Sequence, residues 1–454
     1  MTIRPLRMRR PGARAVGLGA AALAVVLTCA GQAPVSASDD PGGSGIERVN
    51  VSGDGAQADE AKWRSDDAPA ISSDGRYVAF SSTSDNLVPG DTNGALDVFV
   101  RDRQEKTTER VNVSSSGAQA SGETKGHGLA LSPDGRYVVF ASNADNLVAG
   151  DTWTKGADLF LHDRQARTTV RIGTGATHQY PDAAFSPDGR YLSHTVHTKG
   201  GLVLYDMQTR TGQKLGTFHG SAPSLSTDAR RIAFTSDDTN LVPGDTNGDT
   251  DVFVYERQTG AITRANLTST GGQAVSLECC GSFEPAISAD GRIVAFESDA
   301  RNMVPDDTNQ IEDMFVRDLT ARTTERVSVA SDGTQGEWNW VYGLGARQAE
   351  ITADGRYVFF ASDLNGLVTG FDGSWNRIYR HDRQTRTTSV VSDTDPKSEE
   401  LALNPAITPE GRHVAFSSDS GTLVPGDTNG DRDIFVRTGS LPDPARVDRS
   451  ASSS

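Results

Sequence analysis

Two seven-residue stretches carry oxygen-bearing side chains at every second position, a spacing that lets a short loop surround a hard cation. Carboxylate and amide oxygens at positions 1, 3, 5 and 7 are ligands with which EF-hand-like loops bind Ca²⁺. A third stretch has oxygen-bearing side chains at positions 1, 3 and 7 but Ala95 at position 5. The predicted ligands of a structural Ca²⁺ are Asp245, Asn247, Asp249 and Asp251; Asp427, Asn429, Asp431 and Asp433; and Asp91, Asn93 and Asp97.

These loops also depart from the EF-hand pattern. Thr250 and Arg432 stand where that pattern needs glycine for a sharp turn, and a β-segment follows where an EF-hand has a helix. The same residues are compatible with a second structure, an Asx-type turn that follows a Pro-Gly turn. Both interpretations stay open at the level of sequence. With either one, the loop has a structural rather than a catalytic role.

Histidine is the second residue type that could carry chemistry. The chain has eight histidines, and four of them fall in connections between β-segments: His127, His178, His197 and His219. Imidazole is a common ligand of transition metals and a general acid or base near neutral pH. One interpretation is a metal or acid–base site built from these four side chains, and the other is four solvated loop histidines. No spacing motif decides between them.

Two longer connections hold the remaining candidates for ligand binding. One contains Cys279 and Cys280, which an oxidising compartment would join as a vicinal disulfide or link to a partner. The other contains Trp338, Trp340 and Tyr342, which alternate along an extended segment and so share one side of it. Such a row forms either a stacking platform for a sugar or peptide, or a plug that packs over the centre of the fold.

A repeated unit organises all of these candidates. Its core, Ser-x-Asp-Gly-Arg or a close variant, occurs seven times at intervals of 40 to 64 residues. Self-similarity at such a period indicates a repeat architecture. The seven cores are 72–76, 132–136, 186–190, 226–230, 288–292, 352–356 and 408–412.

Each unit predicts four short β-strands, named a to d from the centre outwards. In the first unit they are 69–72, 76–82, 97–101 and 108–114. Asp-Gly between strands a and b is a strong hairpin signal, because glycine adopts positive φ without steric cost. Strands that are apolar on both faces fit a sheet packed between two neighbouring sheets. Four antiparallel strands repeated around a ring form the blades of a β-propeller.

The two ends of the repeat region predict how the ring closes. The seventh unit has strands a, b and c but no copy of strand d, whereas the segment 46–52 is almost a copy of strand d at 108–114. Pairing this N-terminal strand with the last blade completes it and removes an exposed edge. The prediction is an all-β, seven-bladed β-propeller of four-stranded antiparallel blades. An open array or two small barrels would leave the displaced strand unexplained.

The up-and-down order of the strands divides the connections between two faces of the ring. The d–a and b–c loops share one face and vary in length, so they are the expected binding surface. The short a–b and c–d turns share the other face. On that turn face, Ala229 replaces the glycine of the fourth Asp-Gly turn, which costs about 1 kcal/mol if the residue has positive φ.

The unit resembles the WD-like repeats of TolB-type β-propellers. In each unit a segment like Pro133-Asp-Gly-Arg-Tyr-Val-Val-Phe140 of the second unit is followed by a strand like Val98-Phe-Val-Arg-Asp102 of the first. The resemblance covers residues 46–437. It implies the fold but not the activity, because such propellers serve as protein-interaction modules, as halves of peptidases and in polysaccharide lyases. A peptidase is not indicated, since the chain has no Gly-x-Ser-x-Gly elbow. Oligogalacturonate lyases, seven-bladed propellers with a histidine-rich metal site, keep an enzyme as the alternative.

The segments outside the repeats predict export. Residues 1–37 contain five arginines, an apolar core at 15–30 too short to span a bilayer, and small residues suited to cleavage, which is typical of a secretory signal. Cys29 only partly matches a lipoprotein box, so a secreted protein is preferred over a lipid-anchored one. The expected organisation is a signal at 1–37, a flexible leader at 38–45, the propeller at 46–440 and a disordered tail at 441–454.

Charge limits the choice of partners. The chain has 44 Lys and Arg against 60 Asp and Glu, a net charge of −16, and loss of the arginine-rich signal makes it more negative. This argues against nucleic acid or anionic lipid as a partner, and no other stretch predicts a membrane span. The expected function is a secreted, monomeric, non-catalytic propeller that binds a protein or glycan and carries structural Ca²⁺. The alternative is a metal-dependent enzyme acting on extracellular polysaccharide through His127, His178, His197 and His219.

Overall fold

The computed structural model describes residues 45–59, 68–151, 156–173, 182–195, 201–276, 281–337, 345–371, 375–392, 395 and 401–439. Within these ranges the regular secondary structure consists of 28 β-strands. None of the described residues forms a helix long and apolar enough to cross a membrane. The predicted signal at 1–37 and the predicted tail at 441–454 lie outside the described residues.

Each predicted blade is a four-stranded antiparallel sheet. Blade 1 contains β2 (Ala70–Ile71), β3 (Tyr77–Ser82), β4 (Asp97–Asp102) and β5 (Thr107–Arg110). Blade 2 contains β6 (Thr124–Leu131), β7 (Tyr137–Ser142), β8 (Asp158–Asp163) and β9 (Thr168–Gly173). Blade 3 contains β10 (Ala183–Phe185), β11 (Tyr191–Thr195), β12 (Leu202–Asp206) and β13 (Thr211–Lys214).

The remaining blades follow the same order. Blade 4 contains β14 (Ser221–Leu225), β15 (Arg231–Ser236), β16 (Asp251–Glu256) and β17 (Ala261–Arg264). Blade 5 contains β18 (Ser282–Ile287), β19 (Ile293–Ser298), β20 (Asp313–Asp318) and β21 (Thr323–Arg326). Blade 6 contains β22 (Ala346–Ile351), β23 (Tyr357–Ser362), β24 (Arg377–Asp382) and β25 (Thr387–Val390). Blade 7 contains β26 (Ala402–Ile407), β27 (His413–Ser418), β28 (Asp433–Thr438) and β1 (Ile46–Arg48).

The seven sheets form a closed ring. The innermost strands contact one another in the order β2, β6, β10, β14, β18, β22 and β26, and β26 contacts β2 again. The outermost strand of blade 7 is β1, which pairs with β28 so that Ile46 lies opposite Arg437 and Arg48 opposite Phe435. The predicted seven-bladed propeller, closed by its N-terminal strand, is confirmed.

The residues of the Ser-x-Asp-Gly-Arg core bond the a–b turn together. In blade 1 the Ser72 hydroxyl donates to Asp74 at 2.6 Å and accepts the backbone N–H of Tyr77 at 2.9 Å. Arg76 donates through Nε and Nη2 to the two carboxylate oxygens of Asp102 on strand c, at 3.0 and 2.7 Å. The core recurs because one set of side-chain hydrogen bonds fixes the same turn in blade after blade.

Aromatic pairs fill the middle of the blades. In blade 1, Phe80 and Phe99 are buried and stack with their ring centroids 5.8 Å apart. Phe80 also packs with Ala415 and Val436, which belong to the neighbouring blade 7. Each sheet is therefore covered on both sides by its neighbours, which explains why its strands are apolar on both faces.

The strained turn predicted in blade 4 is present. Ala229 has a φ of +49°, and the glycines at this position in the other six turns have φ between +66° and +72°. A side chain in this region of backbone space costs about 1 to 2 kcal/mol, because Cβ approaches the following carbonyl oxygen. Blade 4 keeps the turn conformation despite that cost, since the surrounding contacts determine it.

Candidate functional site

An arginine from strand d lies between the first and last aspartates of the predicted Ca²⁺ loops. In blade 4, Nη1 of Arg264 is 3.5 Å from Asp245 and 2.9 Å from Asp251. Asn266 donates to the other oxygen of Asp251 at 2.5 Å. The side chains of Arg264 and Asp251 are only 6% and 1% exposed. A guanidinium therefore supplies positive charge where the sequence predicts a cation.

Four further blades repeat this arrangement. Arg110 bridges Asp91 and Asp97 at 3.0 and 3.1 Å, and Arg171 bridges Asp151 and Asp158 at 2.7 and 3.0 Å. Arg326 bridges Asp307 and Asp313 at 3.3 and 3.1 Å, and Arg48 bridges Asp427 and Asp433 at 3.2 Å each. Because Arg48 lies on β1, the ion pair in blade 7 also holds the N-terminal strand in place.

Calcium binding by these loops stays a prediction. Asn247 donates to Asp251 at 3.4 Å and Asn93 donates to Asp97 at 3.2 Å, so the third and seventh positions of these loops are in contact. A bound ion would have to displace the guanidinium from two buried carboxylates. The prediction requires the midpoint of thermal unfolding to rise when millimolar Ca²⁺ replaces a chelator. An unchanged midpoint would leave the arginines as the counter-charge of these loops.

A cavity of about 410 Å³ is lined by all seven innermost strands and therefore lies on the axis of the ring. One apolar residue from each strand, at the same position of the repeat, contributes to its wall: Ile71, Leu131, Phe185, Leu225, Ile287, Ile351 and Ile407. Two carboxylates, Glu284 and Glu350, line the same cavity. Apolar walls with a few charged groups are the usual composition of a ligand pocket.

The strands of blades 5 and 6 bring several glutamates together at this cavity. Burial, together with the negative charge of Glu284, raises the pKa of Glu350 to about 8. Burial and the charges of Glu284 and Glu312 raise the pKa of Glu297 to about 8 as well. Arg347, which pairs with Glu312 at 3.0 Å, offsets only part of this charge. The cavity therefore has an acidic wall formed by Glu284 and Glu350, and the shortage of counter-charge keeps Glu350 and the nearby Glu297 protonated below about pH 8.

A bulge in the innermost strand places Glu284 on the cavity wall. The pairing of β18 with β19 shifts register between Phe283 and Ala286, and Glu284 in between has a φ of +45°. The same shift occurs in blade 6, where Gln348 has a φ of +61° and its N–H donates to Glu297 at 3.1 Å. Bulges commonly redirect side chains beside functional sites.

Sequence reasoning missed the acidic wall, although the repeat contains a signal for it. At the position of Glu350 the other six units have Ala or Ser, and at the position of Glu297 they have Ser, Thr or Ala. A glutamate that replaces a small neutral residue of the repeat could have been recognised as an exception. That both exceptions interact with Glu284 could not be predicted, because Glu297 and Glu350 are 53 positions apart.

The raised pKa values predict that the protein loses stability between about pH 5 and pH 8. The folded state holds protons on Glu297 and Glu350 that the unfolded state releases near its ordinary glutamate pKa, so folding is favoured at lower pH. This contribution is complete below the unfolded pKa and is lost as pH rises through about 8. Melting midpoints across this range should fall with pH, and Glu350→Gln should flatten the fall and raise the midpoint at pH 8.

Glu410→Gln is a matched control, because Glu410 is exposed. It should leave the pH dependence of the melting midpoint as in the unmodified protein. An unchanged slope in Glu350→Gln would contradict the assignment of the shifted pKa to the cavity.

Of the four predicted loop histidines, the structure describes the side chain of His219. The backbone of His127 lies in β6, not in a loop, because the innermost strand of blade 2 extends outwards to pair Thr124 with Ser142. His178 and His197 lie outside the described residues. The predictions for Cys279, Cys280, Trp338, Trp340 and Tyr342 also fall outside the described residues.

His219 lies in the d–a loop entering blade 4, beside two aspartates of the b–c loop of the same blade. Its Nδ1 is 3.3 Å from Asp238 and 3.8 Å from Asp237. These three side chains form a group with ligand atoms close enough to bind one metal ion. The contact also shows that a d–a loop and a b–c loop share one face of the ring, as predicted.

Comparison with known proteins gives the fold alone. No family model matches the chain, and no curated protein is similar to it. The β-propeller domain of the Trilobed protease from Pyrococcus furiosus has 13% identity and a TM-score of 0.52, over 85% of this chain and 96% of that chain. That domain has an open velcro topology, whereas β1 closes the ring here.

Two further structures have the same fold at lower similarity. Oligogalacturonate lyase in complex with manganese has 11% identity and a TM-score of 0.49, over 85% of this chain and 90% of that chain. TolB from Acinetobacter baumannii has 15% identity and a TM-score of 0.41, over 85% of this chain and 88% of that chain. TolB is thus among the solved structures to which this chain is similar, and the β-propeller fold itself is established by the strand pairing described above.

Proposed function

We propose that this β-propeller is an exported, non-catalytic binding protein that takes a positively charged segment of a partner protein at its central cavity. The observation that carries the proposal is the acidic wall that Glu284 and Glu350 form at the cavity, with the buried Glu297 close enough to interact with Glu284. Buried carboxylates with raised pKa values gain most when a cationic group enters, because it supplies the missing counter-charge; Glu284 and Glu350 line the cavity, and burial raises the pKa of both.

The chemistry of the wall favours a basic protein segment over a glycan. A neutral sugar offers only hydroxyl groups, whereas a lysine, an arginine or an amino terminus provides the positive charge that allows these carboxylates to ionise. The net charge of −16 adds long-range attraction for a basic partner. The same proposal includes export through residues 1–37, a monomeric state, and Ca²⁺ bound in the aspartate-rich loops.

Binding of a short oligolysine peptide, measured by titration calorimetry at low salt and pH 8, tests the proposal. The double variant Glu284→Gln/Glu350→Gln should weaken binding by about tenfold or more, which corresponds to about 1.4 kcal/mol. The double variant Glu105→Gln/Glu410→Gln removes the same charge from exposed positions and should change affinity little. Equal losses in both double variants would show that general surface charge, not the cavity, attracts the peptide.

The natural partner can be sought with the same pair of proteins. The unmodified propeller and the Glu284→Gln/Glu350→Gln variant serve as bait in a pull-down from the producing organism's medium. A basic protein retained by the first and lost with the second would be a partner of the cavity. A set of captured proteins that is the same for both baits would speak against the cavity as the binding surface.

A second candidate is a metal-dependent enzyme acting on extracellular polysaccharide, and the group of His219 with Asp237 and Asp238 favours it. His127, His178 and His197 are the other residues proposed for this activity. A cleaved polysaccharide would first have to be identified with the purified protein. Unchanged cleavage of that substrate by His178→Ala and His219→Ala would remove this candidate.

A further inference from the structure

Blade 4 breaks the repeat where its d–a and b–c loops meet. In the described b–c loops of blades 1, 2, 5, 6 and 7, the position of Asp238 holds a residue that is at most 3% exposed: Ser84, Ala144, Ala300, Leu364 and Ser420. In blade 4 this position is an aspartate whose side chain is 25% exposed. A carboxylate has thus replaced a small or apolar packing residue, so local packing does not explain its presence.

The position of His219 is exceptional in the same way. Its counterparts in blades 5, 6 and 7 are Gly281, Gly345 and Leu401. Their backbone N–H groups donate to the aspartate at the first position of the b–c loop: Gly281 to Asp299 at 3.1 Å, Gly345 to Asp363 at 2.9 Å and Leu401 to Asp419 at 2.6 Å. This recurring hydrogen bond ties the d–a loop to the b–c loop.

In blade 4 that hydrogen bond moves by one residue. The N–H of His219 donates to Oδ2 of Asp238 at 2.6 Å, and Oδ1 of Asp238 faces the imidazole at 3.3 Å. Asp237, the counterpart of Asp299, is released from that structural role, and its side chain is 73% exposed. Asp237 and Oδ1 of Asp238 are consequently available to share a ligand with Nδ1 of His219.

Neighbouring residues hold the backbone of this group in place. Phe218 is buried and stacks on Phe234 with the ring centroids 4.8 Å apart. The N–H of Asp238 donates to the hydroxyl of Ser236 at 3.1 Å. The loop therefore has a buried anchor directly before His219, and the cost of ordering the three side chains around a ligand is reduced.

We propose that His219, Asp237 and Asp238 bind a divalent first-row transition metal ion, with Zn²⁺ preferred. Ligand atoms on a tetrahedral ion with bonds of about 2.0 to 2.1 Å are separated by about 3.3 Å. The imidazole lies 3.3 and 3.8 Å from the two carboxylates, so small side-chain rotations complete the geometry. One nitrogen and two carboxylate ligands leave a position open to water or to a group from a partner.

The ligand types decide the class of metal. Ca²⁺ and Mg²⁺ take oxygen ligands, whereas an imidazole nitrogen with carboxylates suits zinc and its neighbours. Zn²⁺ binds such sites more tightly than Mn²⁺. This rim site is separate from the aspartate-rich loops predicted to bind Ca²⁺ and from the acidic cavity.

Titration calorimetry with Zn²⁺, Mn²⁺ and Ca²⁺ on the metal-free full chain tests the site. We expect one strong Zn²⁺ site, weaker Mn²⁺ binding and no Ca²⁺ binding at that site. His219→Ala and Asp238→Asn should each weaken Zn²⁺ binding by about tenfold or more, because each substitution removes or weakens one direct metal ligand. Asp419→Asn alters the counterpart of Asp237 in blade 7, which has Leu401 in place of His219, and should keep the affinity.

Two further measurements complete the test of this metal site. Co²⁺ added to the unmodified protein should give the visible absorption of a low-coordinate site, and His219→Ala should abolish it while circular dichroism stays unchanged. Unaltered Zn²⁺ affinity in both His219→Ala and Asp238→Asn would overturn the proposal. Glu284→Gln/Glu350→Gln should retain the Zn²⁺ site, so failure of the cavity proposal and failure of this one are distinguishable.

Discussion

Replacing Arg264 with alanine should lower the free energy of unfolding by about 3 to 5 kcal/mol near pH 8. The substitution leaves Asp245 and Asp251 buried without their shared guanidinium, and an unpaired buried charge costs far more than the ion pair contributes. Burial already raises the pKa of Asp251. Chemical denaturation at pH 8 and pH 5 should show a smaller loss at pH 5, because a proton can neutralise the unpaired buried carboxylate.

Arg230→Ala is the matched control for this prediction. Arg230 also pairs with a carboxylate of its own blade, Glu256, at 3.1 Å, but its side chain is 52% exposed. Solvent screens such a pair, so its loss should cost no more than about 1 kcal/mol. Asp251→Asn added to Arg264→Ala should recover part of the stability. Similar small losses in Arg264→Ala and Arg230→Ala would show that the buried ion pair does not stabilise the blade.

Gly135→Ala should destabilise the protein by about 2 to 4 kcal/mol through two additive effects. The φ of Gly135 is +70°, where a side chain costs about 1 to 2 kcal/mol. A Cβ atom there would also overlap the ring of Tyr77 in the neighbouring blade, 2.7 Å from its Cγ. Arg76 and Arg164 lie over that ring at 4.9 and 4.4 Å, so the tyrosine has little room to move and the turn must shift.

Gly90→Ala separates the two effects. Gly90 has a φ of +78°, and a Cβ atom there meets none of the described residues within 4 Å. Only the backbone cost of about 1 kcal/mol should therefore appear in its denaturation curve. If Gly135→Ala and Gly90→Ala lose the same stability, the close approach of neighbouring blades at the Asp-Gly turns is not a determinant of the fold.

Much of the architecture was predictable because each blade is encoded locally. Ser72, Asp74 and Arg76 meet within one turn, and the apolar runs of strands b and c are each visible within six residues. The closing strand was predictable for the same reason, since residues 46–52 copy a segment whose role the first unit already defines.

Contacts between side chains on different strands of a blade were harder to predict from the sequence. The sequence shows oxygens at alternate positions from Asp245 to Asp251, but the cation beside them is the guanidinium of Arg264, 13 residues after the loop on another strand. An arginine two residues before the asparagine of strand d recurs in blades 1, 4 and 7, at Arg110, Arg264 and Arg48. Its partner became evident only with the register of the paired strands.

The sequence by itself determined the number of blades, the order of their strands, the turn that joins strands a and b, and the closure by β1. These features depend on short periodic patterns and on repetition, which the chain displays directly. Only the tertiary structure decided that Glu284 and Glu350 line the axial cavity with Glu297 close to Glu284, and that His219 meets Asp237 and Asp238. Those contacts depend on ring closure, on strand bulges and on loop geometry, through which residues far apart in the chain come within a few ångströms.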